Sequence, residues 1–148
     1  GRVEWIGVRP SRGEPMVALE DVLMNLENGV AGDRFGGRIG SPRQVTLIQK
    51  EHLSAIASYL HRESVAPSLL RRNIVVSGIN LRALKDKAFR IGDAVLECTG
   101  LCHPCSKMER QLGEGGYNAL RGHGGITARV REAGLVRLAD SVFYSADE

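Results

Sequence analysis

The chemistry in this chain is concentrated in Cys98-Thr-Gly-Leu-Cys-His-Pro-Cys-Ser-Lys-Met-Glu-Arg110, which holds all three cysteines and one of the four histidines. A thiolate attacks electrophilic sulfur and binds soft metals, so the first question is which sulfur the chain would activate. Pro104 breaks regular structure just before Cys105. Ser106 and Glu109 have the S-x-x-E spacing of a capping box, and Met108 and Leu112 share the face of a helix expected over 106–112. Cys105 then stands just outside a helix N-terminus. Unpaired N–H groups and the positive end of the helix dipole favour a thiolate there, and Lys107 adds a charge. Cys105 is therefore the candidate nucleophile or metal ligand. The bland alternative is a buried, inert thiol, the commoner fate of a free cysteine.

Three rival chemistries use the same stretch. Cys102-His-Pro-Cys105 is a C-x-x-C pair, but structural zinc draws ligands from two separated knuckles and no second pair follows. A dithiol redox pair calls for a βαβ context that the surrounding pattern lacks. A cysteine paired with His103 or His123 stays open, because the sequence does not show which residues meet.

A second cluster, Arg71-Arg-Asn73, stands before the apolar run Ile74-Val-Val-Ser77. Guanidinium forks match phosphate and carboxylate, so Arg71, Arg72 and Asn73 form a candidate anion clamp, against the plainer reading of two solvated arginines. Gly29-Val-Ala-Gly-Asp-Arg-Phe-Gly-Gly37 has the glycine density of a loop that brings backbone close to a ligand, or of an ordinary surface loop.

The elements that must position these groups are mostly short strands. Residues 2–8 read as a strand, with Pro10-Ser-Arg-Gly13 turning it into a second over 16–19. Residues 21–27 are ambiguous between strand and helix. Val45–Ile48 is a strand, and Leu53, Ile56, Ala57 and Leu60 mark a helix over 50–60 that leaves His52 and His61 at its solvent side or end. Strands follow at 74–77, 88–91 and 94–100, where Ala94, Leu96 and Cys98 share one face and place Cys98 in the core. After the cysteine helix come a helical turn over 117–121 and strands at 126–130, 135–138 and 142–144. Many short strands, glycine-rich turns and two clear helices argue a mainly β fold, a closed or partly closed barrel with helical insertions.

Composition narrows the class. The 148 residues suffice for one domain, 1–148, with a real core, and 43% apolar and 25% charged residues are ordinary for a soluble protein. A net charge of +3 without a basic run or aromatic ladder argues against nucleic acid. The odd cysteine count argues against a disulfide framework. No apolar run is long enough for a signal peptide core or a membrane span, so a cytoplasmic protein is expected.

Taken in order, Gly29-Val-Ala-Gly-Asp-Arg34, Arg43-Gln-Val-Thr-Leu-Ile48, Arg71-Arg-Asn-Ile-Val-Val-Ser-Gly78, Phe89-Arg-Ile-Gly-Asp93, Leu96-Glu-Cys-Thr-Gly100, Pro104-Cys105 and Gly124-Gly-Ile-Thr-Ala-Arg-Val130 resemble the MOSC domain, named after the C-terminal part of molybdenum cofactor sulfurase. The resemblance implies a β-barrel and a cysteine, here Cys105, that carries sulfur as a persulfide or contacts molybdenum. It implies molybdenum cofactor (molybdopterin), a phosphate-bearing pterin, as the ligand. Arg71, Arg72 and Asn73 would then be the anion clamp, with Lys107 and Arg129 as electrostatic help. In multidomain relatives a separate pyridoxal-phosphate domain mobilises sulfur. No pyridoxal phosphate site is expected in this chain, and its donor would be a separate protein of the cysteine desulfurase type. Sulfur transfer, or chemistry through bound cofactor such as reduction of N-hydroxylated compounds, follows from the resemblance alone. Many relatives carry His where this chain has Phe35, so a role for that His does not transfer. The reading from another class is a non-catalytic barrel that binds a small anion or a protein, with Cys105 structural.

Overall fold

A computed structural model describes residues 1–11, 13–35, 39–102 and 110–144. Cys105, Lys107, His103 and the expected capping box at 106–109 lie outside the described residues. Eleven strands are found among those described: β1 Arg2–Val8, β2 Val17–Leu19, β3 Asp21–Asn25, β4 Gly29–Val30, β5 Val45–Gln49, β6 Ile74–Ser77, β7 Ala88–Ile91, β8 Ala94–Leu101, β9 Ile126–Glu132, β10 Gly134–Arg137 and β11 Val142–Phe143. The helices are α1 Lys50–Tyr59, α2 Pro67–Leu70, a 3-10 turn Leu81–Leu84 and α3 Gly116–Leu120. Residues 110–112 are also helical, the described end of the helix expected after the cysteines. The ambiguous stretch after residue 20 is a strand, β3. No helix among the described residues is long and apolar enough to cross a membrane.

Eight strands form one sheet in the order β11-β7-β8-β9-β5-β6-β1-β2, and β10-β3-β4 form a second. The mainly β expectation holds, but neither sheet closes into a barrel. The large sheet ends at β11 and β2. The start of β1 meets the approach of β11 through the Arg2–Ser141 bridge and backbone hydrogen bonds from Val3 N–H to Asp140 O, Ala139 N–H to Val3 O and Val142 N–H to Gly1 O, which do not extend into a ladder between named strands. The physical reason lies at the strand ends. β11 pairs with β7 over two residues only, too short a strand to carry a full ladder back to β1.

Two apolar clusters lie on the two faces. The larger gathers Val3, Ile6, Leu47, Ile74, Phe89, Leu96, Cys98 and Ile126 between the sheets. Cys98 is 2% exposed, as its parity requires. The smaller packs Leu53, Ile56 and Ala57 of α1 against Ile48 and Val75. β5 and β6 pair in parallel, and a parallel pair needs a crossover, which α1 and α2 supply.

The joint between these parts is Asn73, fully buried at the start of β6. Its Oδ1 accepts from the Thr46 N–H at 3.1 Å and faces Thr46 Oγ1 at 3.2 Å, while its Nδ2 donates to Gly7 O at 3.2 Å and Asp33 Oδ1 at 3.3 Å. One side chain thus ties β5, β1 and the Gly-Asp-Arg loop. Asn73→Ala removes these bonds and strands buried partners, which should cost about 2–4 kcal/mol. Urea unfolding should show that loss with an unchanged slope. A loss below about 1 kcal/mol would mean that water replaces the amide.

Candidate functional site

The two arginines of the expected clamp part company because of the backbone between them. Arg71 ends α2 in the left-handed region, φ 58°. That rotation sends neighbouring side chains to different places. Arg71 donates to Glu14 O at 2.8 Å and shares its surroundings with Arg9, Arg34 and Asp33. Burial and the charges of Arg9 and Arg34 push its pKa down. Arg72 turns inward and is 7% exposed. Its Nε donates to Gly124 O at 2.8 Å and its Nη1 to Leu70 O at 2.9 Å. Its Nη2 is buried without a hydrogen-bond partner among the described residues. Asn73 spends its amide on the scaffold, so of the three it is the one that positions.

Asp33 of the Gly-Asp-Arg loop is the carboxylate in the Arg71 group. Its side chain is wholly buried and pairs with Arg9 at 2.8 Å. Burial alone would raise its pKa. Hydrogen bonds from the Arg9 side chain and backbone, the Arg9 charge and the Phe35 N–H outweigh that and hold the carboxyl below its ordinary value. Arg9, Arg34 and Asp33 thus all lie within electrostatic reach of Arg71.

The loop between α3 and β9 carries Gly122-His-Gly-Gly125, and four parts of the protein hold it. Arg72 holds Gly124 O, the Cys102 N–H donates to Gly125 O at 2.8 Å, Arg82 reaches Gly122 O at 3.4 Å, and the His123 ring meets His52 and Tyr59 with centroids 5.0 and 5.7 Å away. Glycine is required here for close approach. A Cβ on Gly124 would collide with the Cys102 carbonyl, and one on Gly125 with the Leu47 carbonyl. The half-buried Cys102, where the cysteine stretch leaves β8, is thereby fastened to the loop that also holds Arg72.

His52 is not on the solvent side of α1, as its position in the helix suggested. It is half-buried against His123, whose Nδ1 is buried without a partner among the described residues. Periodicity gives the face of a helix but not which loop folds over it. Arg129 lies with its Nε 3.2 Å from Glu97 Oε1, in ion-pair range, while Arg131 holds the other oxygen at 2.7 Å. The anionic partner of Arg129 is thus already in the protein. Cys98 is pushed up in pKa chiefly by burial, as suits a core thiol. Sequence reading missed Arg9 and Asp33 as a buried pair and the His52–His123 contact. The glycine densities around Asp33 and His123 were the available signals.

Acid should loosen this corner in two steps. Burial first, then His123 and Arg82, depress the pKa of His52 below 6.5, with Glu51 opposing. The folded state therefore disfavours the imidazolium, and stability present above pH 6.5 falls as pH drops through the unfolded value. Asp33 acts lower. Its stabilisation holds above its ordinary value of 3.8 and is lost as pH falls through the depressed folded one. Unfolding free energies should decline between pH 7 and 5.5, and His52→Phe should flatten that segment alone. An unchanged slope in this variant would remove His52 from the account.

A family model of the MOSC domain matches residues 24–143. The YuaD protein from Bacillus subtilis superposes with a TM-score of 0.82 at 20% identity, covering 95% of this chain and 93% of that one. YiiM from Escherichia coli superposes at 0.71 and 18% identity, over 99% of this chain and 71% of that one. YiiM from Geobacillus stearothermophilus does so at 0.73 and 15%, over 95% and 73%. No curated protein matches. The structures share the fold, and the family model spans the Gly-Asp-Arg loop, Arg72, the cysteine stretch and the glycine loop. This protein belongs to the MOSC domain family.

Proposed function

We propose that this domain binds a molybdenum cofactor or carries sulfur at the corner where Arg72 meets the glycine loop, with Cys105 as metal-proximal ligand or persulfide carrier. The family is associated with both chemistries. The observation that carries the reading is Arg72 Nη2, a buried cationic donor left over beside Gly124. A guanidinium is rarely buried without an oxygen for each N–H edge, and a ligand oxygen would complete the set that the described residues leave open. Cys105 follows Cys102 by three residues, so at most about 10 Å of chain separates the two Cα atoms.

The residues present fit a phosphate-bearing pterin with a soft metal. Arg72 would hold the phosphate, Arg71 and Arg34 would add positive potential, and a thiolate at Cys105 suits molybdenum. Lys107 would favour that thiolate. Bound molybdenum would supply two-electron redox chemistry, and the chain's own part is to bind, orient and desolvate. In the sulfur-carrying role, the Cys105 thiolate attacks the terminal sulfur of a donor persulfide. A new S–S bond forms on Cys105, the donor's S–S bond breaks, and the donor leaves as a thiolate. A donor of the cysteine desulfurase type would supply that persulfide.

The test is the pterin content of purified protein and its affinity for molybdopterin. Arg72→Ala should weaken binding about tenfold or more, the loss of a charge-assisted bond worth roughly 1.5–3 kcal/mol. Arg72→Lys keeps the charge, loses the fork and should fall between. Wild-type affinity in a folded Arg72→Ala variant would put the anion elsewhere. With no persulfide on Cys105 after exposure to a persulfide donor and no pterin in the wild type, the non-catalytic reading would stand.

A further inference from the structure

A cavity lies away from this corner. It encloses about 580 Å³ between α1 and the β1–β6 pair, and none of Arg71, Arg72, Asn73, Cys102 or His123 lines it. That volume is in the range of small-molecule sites.

A break in strand parity builds it. β1 and β6 pair with Val3 opposite Val76 and Trp5 opposite Val75, so one extra residue, Glu4, is inserted between. Without the bulge, Trp5 would share a face with Val3. With it, Val3 and Ile6 both enter the large core, and Trp5 packs instead with the α1 cluster. Bulges commonly re-aim side chains in this way at functional sites. The indole lies directly over Gly7, where a Cβ would collide with its ring. Val75, Leu53 and Ala57 supply the other apolar walls. The result is a half-buried aromatic surface facing a cavity.

The charges at its mouth set the sign of a ligand. Four charged residues line it: Glu4, Lys50, Arg62 and Glu63. Glu4 accepts from the neutral Ser77 Oγ at 2.8 Å, which occupies one of its oxygens and leaves its charge. Arg62 spends one nitrogen on the neutral Leu112 carbonyl and has no carboxylate in ion-pair range among the described residues, nor does Lys50. Lys50 also opens α1, whose N-cap Gln49 makes no side-chain capping bond and whose first turn carries Glu51, directed to the Gly78 N–H. Glu63 lies beyond the other end of α1, on the exposed loop that follows it.

We propose that this cavity binds an aromatic carboxylate, its ring stacked on Trp5 and its charge at Lys50. The site is independent of the cofactor corner. The chain has one tryptophan, so in 15N-labelled protein the single indole N–H cross-peak reports this cavity alone. Three probes of one shape separate the terms: 2-naphthoate, 2-naphthylmethylammonium and 2-naphthalenemethanol. Naphthoate should shift the Trp5 peak saturably and bind at least tenfold more tightly than the other two. Lys50→Gln should erase most of that advantage, and Ser54→Phe, filling the cavity from its exposed edge, should weaken all three. An unmoved peak with every probe, or a cationic or neutral probe that binds as well as naphthoate, would overturn the proposal. So would an unchanged naphthoate affinity in Lys50→Gln.

Discussion

A buried guanidinium costs several kcal/mol of lost hydration unless oxygens surround its plane. Among the described residues, Arg72 meets this condition on two nitrogens and leaves it unmet on the third. The oxygens that do serve it are backbone carbonyls of Leu70 and Gly124, so its charge is oriented but not cancelled. That differs from Arg9, which is neutralised by Asp33, and from Arg129, which faces Glu97. An uncancelled, oriented, desolvated cation is a strong anion receptor, because the low dielectric that makes it costly also strengthens its attraction for a ligand.

The rest of the fold can be seen as what keeps that cation in place. Asn73, next in sequence, fixes the start of β6 to β5, to β1 and to the Gly-Asp-Arg loop. The left-handed turn at Arg71 lets neighbouring side chains serve two separate groups. The glycine loop comes close enough to take the Arg72 Nε and the Cys102 N–H on successive carbonyls, which joins the start of the cysteine stretch to Arg72. α1 carries His52 and the cavity walls on different parts of its surface, so one helix borders two distinct places.

Much of this was legible in the sequence where a period governs it. The i, i+3, i+4, i+7 spacing of Leu53, Ile56, Ala57 and Leu60 located α1, and the parity of Ala94, Leu96 and Cys98 placed Cys98 in the core. The Arg71-Arg-Asn73 cluster was recognisable as chemistry, but not its division of labour, because one backbone dihedral at Arg71 decides it. The bulge at Glu4 was invisible for the same reason. A single inserted residue reverses the face of everything before it, and no side-chain pattern announces it. The barrel implied by family resemblance does not close here, since closure depends on strand lengths at β11 and β2 that composition does not set. His52 looked solvated because a helical period cannot tell which distant loop will cover the helix.

The central claim is that Arg72 and Cys105 act on one ligand. The direct measurement is the rate of iodoacetamide labelling at each cysteine in the folded protein, read by peptide mass mapping, with and without inorganic phosphate. The account predicts that Cys105 labels first and Cys98 last, that phosphate slows Cys105 saturably, and that this protection disappears in Arg72→Ala. Labelling of Cys98 first, silence at Cys105 until denaturant is added, or a Cys105 rate indifferent to phosphate would contradict it.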